Sequence, residues 1–261
     1  MEPRLVDMHC HLDRILDATE VAAVAEDLGL AILCTPVTPA DTRAARDLLG
    51  GCANVRVGAG LHPWWIDSGA CGEAEAGEAA DLAAASRFVG EVGLDFGRVH
   101  GGSAAAQTAA FERIVAACAA HPLPGRVLSI HAVHSAGSAL DVLERFGLVG
   151  TGGAAAAATC VFHWFSGTSE ELVRARRLGC LFSVNPMMLA TRRGREYARQ
   201  IPEDRLLLET DAPPGLDTPY AAADIAASLE GVLDTLAEIR RVERGALASR
   251  IAHRGAELLA L

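Results

Sequence analysis

The sequence predicts an α/β protein, a (β/α)8 TIM barrel folded as a single domain over residues 1–261, on three observations. Eight short apolar runs alternate with Ala-rich stretches of helical pattern. The runs are hydrophobic on both faces, as strands buried in a parallel sheet must be. Eight strand–helix units in about 250 residues is the count and size of such a barrel. A doubly wound open sheet is the alternative.

The strand-like runs fall at residues 5–8, 30–34, 55–61, 88–94, 127–130, 160–162, 180–184 and 206–208. Residues 17–28 place Leu, Val and Ala on one helical side, and 103–120, 138–146 and 170–178 repeat the pattern. Thr168 followed by Glu171 reads as a capping box. Gly29, Gly147 and Gly179 stand where glycines end helices. Two low-complexity stretches, 69–80 (GACGEAEAGEAA) and 150–158 (GTGGAAAAA), read as surface loop, the second with some frayed helix. No Pro- or Ser-rich linker divides the chain.

Composition narrows the function classes. The net charge is −10, so no overall basic field draws the protein to nucleic acid or an anionic membrane. A nucleic-acid partner would need bound cations or a local Arg patch. All 23 basic residues are Arg. That excludes a Schiff-base lysine, a Walker lysine and a carboxylated-lysine metal bridge. The seven cysteines show no CxxC spacing and no disulfide framework, which implies a reducing compartment and a cytoplasmic location. The opening MEPRLVDMHCHLD lacks a basic segment followed by an apolar one, so no signal peptide is expected, and no membrane span either.

The chemistry-bearing residues sit where the runs end. His9 and His11 are two apart on a strand and share a face, a spacing at which two imidazoles bind one ion. Glu91 is a carboxylate inside the apolar run VGEVGLD, and a buried carboxylate needs a cation or a donor. His131 ends VLSIH, His163 ends CVFH and Asp211 follows LLLET. Strand ends of a parallel barrel converge on one mouth, so four imidazoles and two carboxylates there point to a metal cluster.

The segments DMHCHLD, GLHPWW, GEVGLDF, SIHAVHS, FHWFSG and LLLETDAP resemble, in order and spacing, the TatD family of metal-dependent deoxyribonucleases, within the amidohydrolase-like hydrolases. The resemblance runs from Val6 to about Gly255. It implies one or two divalent ions, Mg, Mn or Zn, and no other cofactor. His9, His11, Glu91 and Asp211 would hold one, and Glu91, His131 and His163 the other, with Glu91 bridging. It also implies hydrolysis of phosphodiesters in single-stranded DNA or RNA, as a 3′-5′ exonuclease, by metal-activated water. Catalytic roles fall to Asp211 as proton acceptor, to Glu91, and to His62 of GLHP as a phosphate or leaving-group contact. A core histidine capping the strand is the other reading of His62. The usual HSR is replaced by His131-Ala132-Val133-His134, and ETDSPY by Glu209-Thr210-Asp211-Ala212-Pro213-Pro214. HWFSG, with FSVNPMML after it, resembles TatD-like nucleases of bacterial anti-phage defence clusters, which implies other defence subunits as partners of an otherwise monomeric protein.

Further residues carry two readings each. Asp95 orients a ligand histidine or caps the next turn. Trp64, Trp65, Trp164 and Phe165 stack on bases or pack between loops. Arg192, Arg193, Arg195 and Arg199 bind a nucleic-acid backbone or form a solvated helix face. Ser166 and Gly167 offer amides to a phosphate or serve only in capping the helix that follows. Two other functions compete with the nuclease: a metal-dependent amidohydrolase, esterase or lactonase, and a non-catalytic scaffold in a defence or repair complex.

Overall fold

A computed structural model describes residues 3–150, 157–215 and 219–261. The chain begins β1 (Leu5–Cys10), α1 (Ala18–Asp27), β2 (Leu30–Cys34), α2 (Pro39–Leu49), β3 (Val55–Val57), β4 (Ala59–Leu61), α3 (Pro63–Asp67) and α4 (Glu73–Ala84). It continues β5 (Phe88–Asp95), α5 (Ala104–Ala120), β6 (Val127–Val133), α6 (Ala136–Arg145), β7 (Thr159–His163), α7 (Ser169–Arg177) and β8 (Leu181–Val184). It ends α8 (Pro186–Leu189), α9 (Arg192–Gln200), β9 (Leu206–Leu208), α10 (Ala222–Arg240) and α11 (Arg244–Leu259). The α/β class with parallel strands is therefore as expected. The run 55–61 breaks into two strands, and part of the stretch 150–158 lies outside the described residues. The stretch 69–80 is not a loop: from Glu73 it forms α4, because Ala and Glu are strong helix formers and the Glu75 carboxylate accepts the Gly72 amide at 2.7 Å.

The chain divides into two compact units interleaved in sequence. Unit 1 comprises Met1–Thr35, Ala44–Val57 and Phe182–Leu261, and unit 2 Pro36–Arg43 and Gly58–Leu181.

In unit 1, β1, β2 and β3 pair in parallel, and β8 pairs with β9. Helix α10 buries Ile225, Leu229, Leu233 and Leu236, a 3.6-period stripe whose side chains each contribute about 1.5–3 kcal/mol when fully buried. Helix α11 lies close on β1 because Gly255 has no Cβ; one would come within 2.7 Å of Val6 Cβ. That contact helps fix the strand that carries His9.

In unit 2, β4, β5, β6 and β7 form a parallel ladder. Helix α5 covers it with Phe111, Ile114, Val115 and Cys118. Gly93 in β5 has φ +148°, and a Cβ there would overlap the His131 carbonyl. The glycine thus lets β6 approach β5 at the level of the functional side chains. Arg126, fully buried, has no carboxylate partner among the described residues; its guanidinium donates to the carbonyls of Ser86 (3.0 Å), Ala84 (2.9 Å) and His121 (2.7 Å). It satisfies the carbonyls left over at the ends of α4 and α5, which carry the negative pole of each helix.

Candidate functional site

In unit 1 the end of β1 and the segment after β9 are laced together. The His11 amide donates to the Ala212 carbonyl (2.7 Å) and the Asp211 amide to the His9 carbonyl (2.9 Å). Asp7 ties the same two segments. Its Oδ1 accepts the amides of His9 (3.1 Å) and Thr210 (3.0 Å), and its Oδ2 the Thr210 hydroxyl. Burial pushes the Asp7 carboxyl up to about 7 against those hydrogen bonds. A parallel lock lies beside it: Glu209 accepts from Ser183 Oγ and from Asn185 Nδ2, the latter at 2.8 Å.

Beside these locks lies a candidate ligand group. His9 Nε2 and His11 Nε2 stand 3.7 and 3.4 Å from Asp211 Oδ1, and the ligand atoms of all three lie within 4.8 Å of one another. His11 Nδ1 faces the Thr35 carbonyl at 2.7 Å. A carbonyl only accepts, so Nδ1 carries the proton and Nε2 keeps its lone pair for an ion. Asp211 takes a left-handed φ of +58°, a conformation an aspartate tolerates better than most side chains.

In unit 2 a tighter group forms around Glu91, whose amide donates to the Pro36 carbonyl. Glu91 Oε1 stands 2.8 Å from His131 Nδ1, 2.9 Å from His163 Nε2 and 3.2 Å from His62 Nε2. His131 Nδ1 and His163 Nε2 are 3.1 Å apart. Nitrogen and oxygen ligands about 2.0–2.2 Å from one ion stand about 3 Å from each other, so the donor set fits a divalent cation. On its far side His131 Nε2 faces Asp95 Oδ2 at 3.4 Å, the carboxylate–histidine arrangement that orients metal ligands. Burial lowers the basicity of His131, and the carboxylates of Asp95 and Glu91 outweigh it, so its pKa lies above the ordinary histidine value. Burial raises Asp95, and the hydrogen bonds from His131, Trp64 and the Gly97 amide hold it well below the usual carboxylate range.

Asp95 thus serves both readings: Oδ2 faces His131, and Oδ1 accepts the Gly97 amide at 2.8 Å. His62 caps α3, its Nδ1 accepting the Trp64 amide at 3.1 Å. With Nδ1 accepting, the neutral ring carries its proton on Nε2, toward Glu91. Phe165 is buried, Trp64 and Trp164 are exposed, and His134 is exposed at the start of α6. Thr168, not Ser166 or Gly167, caps α7, through the expected box with Glu171. On α9, Arg199 pairs with Glu196 and donates to the Ile239 carbonyl, while Arg192 and Arg193 are exposed.

The sequence reading did not foresee the lock at Asp7 or the Glu209–Ser183–Asn185 group. The available signal was a pair of carboxylates in the strand-end motifs DMHCH and LLLETD beyond those needed as ligands. All seven cysteines are free, and no helix among the described residues is long and apolar enough to cross a membrane.

The chain is similar to known proteins over most of its length. The profile of the TatD related DNase family matches residues 6–258. A deoxyribonuclease Tat-D of Schizosaccharomyces pombe is 32% identical over 126 residues, 48% of this chain but 37% of that protein, so the match spans little more than a third of the relative. A 3′-5′ ssDNA/RNA exonuclease TatD of Erwinia billingiae is 30% identical over 209 residues, 76% of this chain and 73% of that one. The crystal structure of a TatD homologue from Escherichia coli K12 superposes with a TM-score of 0.80 at 20% identity, covering 100% of both chains. Likeness at that identity is one of fold, and it places the chain in the expected α/β class.

Proposed function

Because the chain belongs to the TatD related DNase family, we propose that it is a divalent-metal-dependent hydrolase of phosphodiester bonds in single-stranded DNA or RNA, a 3′-5′ exonuclease working as one domain over residues 1–261. The observation that carries the reading is the Glu91 group: two imidazole nitrogens within 2.9 Å of one buried carboxylate oxygen and 3.1 Å from each other. The ligands would be His9, His11 and Asp211 in unit 1 and Glu91, His131 and His163 in unit 2. A divalent cation held there would lower the pKa of a bound water and offset phosphate charge, which would also answer the net charge of −10.

The chain's own groups do the rest. Asp211 accepts the proton of the attacking water; its side chain is 19% exposed, so water reaches it. Asp7 and the two backbone bonds between the His9 and Asp211 segments hold that carboxylate against His9 and His11. Glu91 keeps the His131 and His163 nitrogens turned to one point. His62 Nε2–H is the donor available to the phosphate or the leaving oxygen. The resemblance of HWFSG and FSVNPMML to TatD-like nucleases of anti-phage defence clusters favours other defence subunits as partners of a monomeric protein. Seven free cysteines support a cytoplasmic location.

The test is a single-stranded oligonucleotide labelled at its 5′ end, incubated with Mg²⁺, Mn²⁺ or Zn²⁺ and with EDTA. Stepwise shortening from the 3′ end that EDTA abolishes is expected. Intact oligonucleotide under all three ions, with turnover of an ester or lactone panel, overturns the reading in favour of a carbonyl hydrolase.

A further inference from the structure

We propose that Trp64 is a stacking platform for an unpaired nucleobase of the strand whose backbone enters the Glu91 group. The inference rests on the nuclease reading and adds a base-binding subsite to it. Trp64 follows His62 and Pro63 at the start of α3, and 44% of it is exposed. An indole left this open is ordinarily mobile or covered by a partner. This one is pinned on several sides. Its Nε1–H donates to Asp95 Oδ2 at 2.7 Å. Its ring stacks on His100 with centroids 5.0 Å apart and planes 24° from parallel, and meets the His62 ring at 4.9 Å and 70°.

The supporting ring is pinned in turn. His100 Nδ1 stands 2.8 Å from Asp67 Oδ2, and Ser103 Oγ donates to Asp67 Oδ1 at 2.7 Å. Gln107 Nε2 donates to the His100 carbonyl (2.9 Å) and to Ser103 Oγ (2.8 Å). Asp67, Ser103 and Gln107 thus fix His100, and His100 with Asp95 fixes the indole. A ring already immobilised loses little entropy when a ligand stacks on it, and every base has a π-face to offer.

Its position names the ligand. The Trp64 and His131 rings are 6.1 Å apart, and Asp95 Oδ2 lies between the indole N–H and His131 Nε2. A flat ring resting there lies beside the atoms that would hold the phosphate. Chain ends, where bases are unpaired, can supply such a ring; a closed duplex cannot.

Two oligonucleotides of one length decide the matter, an all-adenine strand and one whose 3′-terminal residues are abasic tetrahydrofuran units. The readout is the ratio of kcat/KM for the two, and separately the ratio of their dissociation constants by fluorescence anisotropy. Wild-type protein is expected to favour the adenine strand about 5- to 150-fold, the equivalent of ~1–3 kcal/mol for one stacked base. Trp64→Phe keeps a ring and is expected to keep most of that ratio, although it loses the bond to Asp95. Trp64→Ala is expected to bring the ratio near one. The ratio cancels any change the variants cause at the ligand atoms, which affects both strands alike. Equal handling of the two strands by wild-type protein overturns the platform whatever the variants do, and so does a Trp64→Ala ratio as large as the wild type's. Retained discrimination in binding without cleavage under any ion would sink the nuclease reading and leave the platform standing.

Discussion

The two candidate ligand groups differ in spacing and in exposure to water. Around Glu91 in unit 2 the spacings are 2.8–3.2 Å and the carboxylate is 2% exposed. Around Asp211 in unit 1 they are 3.4 and 3.7 Å, with the carboxylate 19% and His11 15% exposed. A buried carboxylate ringed by imidazoles has no use for water and much need of positive charge. A carboxylate open to solvent can exchange protons with it. On the proposed function, the first group would retain a cation and the second would pass protons.

The largest effect tests retention. Glu91→Gln keeps the shape and removes the charge on which His131 and His163 converge. Divalent content, read by plasma mass spectrometry, should fall by at least one ion per chain. Turnover should fall roughly 10²- to 10⁴-fold, the equivalent of the about 3–5 kcal/mol that breaking a buried charge cluster costs. Full content and full turnover in this variant would end the comparison. Asp211→Asn tests proton traffic. A proton acceptor contributes about 10²–10⁴-fold, so kcat should fall by that factor with KM nearly unchanged and the unit 2 ion still bound. An equal loss of ions in both variants would mean that the two groups do the same job.

How far the sequence foretold these groups depends on the range over which each residue acts. His9, His11, Glu91, His131, His163 and Asp211 are each polar at the end or middle of an apolar run, a contrast visible one strand at a time. The ladder around β5 and β6 was legible for the same reason. Asp7 was not: its partners Thr210 and His9 flank ligands some 203 and 2 residues away, and nothing local distinguishes a lock from a ligand. Arg126 was equally hidden, because a guanidinium satisfied by backbone carbonyls has no complementary residue in the sequence to betray it. The stretch 69–80 was misread because acidic, Ala-rich composition suits both a solvated loop and a helix. A single side-chain bond, from the Gly72 amide to Glu75, starts that helix.

A smaller effect follows from that hidden lock. Asp7→Ala removes three hydrogen bonds in unit 1. Residues that orient metal ligands contribute about 10- to 100-fold to affinity, and a loss of that size in Mn²⁺ affinity is expected in calorimetric titration. Asp7→Asn keeps Oδ1, the atom that receives both amides, and should restore most of it. If the asparagine variant is as weak as the alanine one, charge rather than geometry is what Asp7 supplies.

The smallest effect separates stability from ligand geometry. Glu171 caps α7, soon after His163, with Oε2 accepting the Thr168 amide (2.7 Å) and Oε1 the Gly137 amide (2.8 Å). Partial burial raises its carboxyl, and those amides outweigh the burial, so its folded pKa lies below the usual glutamate value. The sign follows. The ionised form is favoured by folding, so its contribution is complete above the unfolded pKa of about 4.3 and fades as pH falls through the folded value. Glu171→Ala should therefore lower stability by about 1 kcal/mol at pH 7, as a lost cap does, and by much less at pH 3. Urea unfolding midpoints at the two pH values measure it, and equal losses at both would show that the carboxylate's charge is not what the cap uses. The divalent content of the folded variant should match the wild type, because the atoms around Glu91 are held by β5, β6 and β7 rather than by the helix that follows. A lost ion would instead make the α7 cap part of the retention site and erase the distinction between a buried group held by its strands and an open one held by a lock.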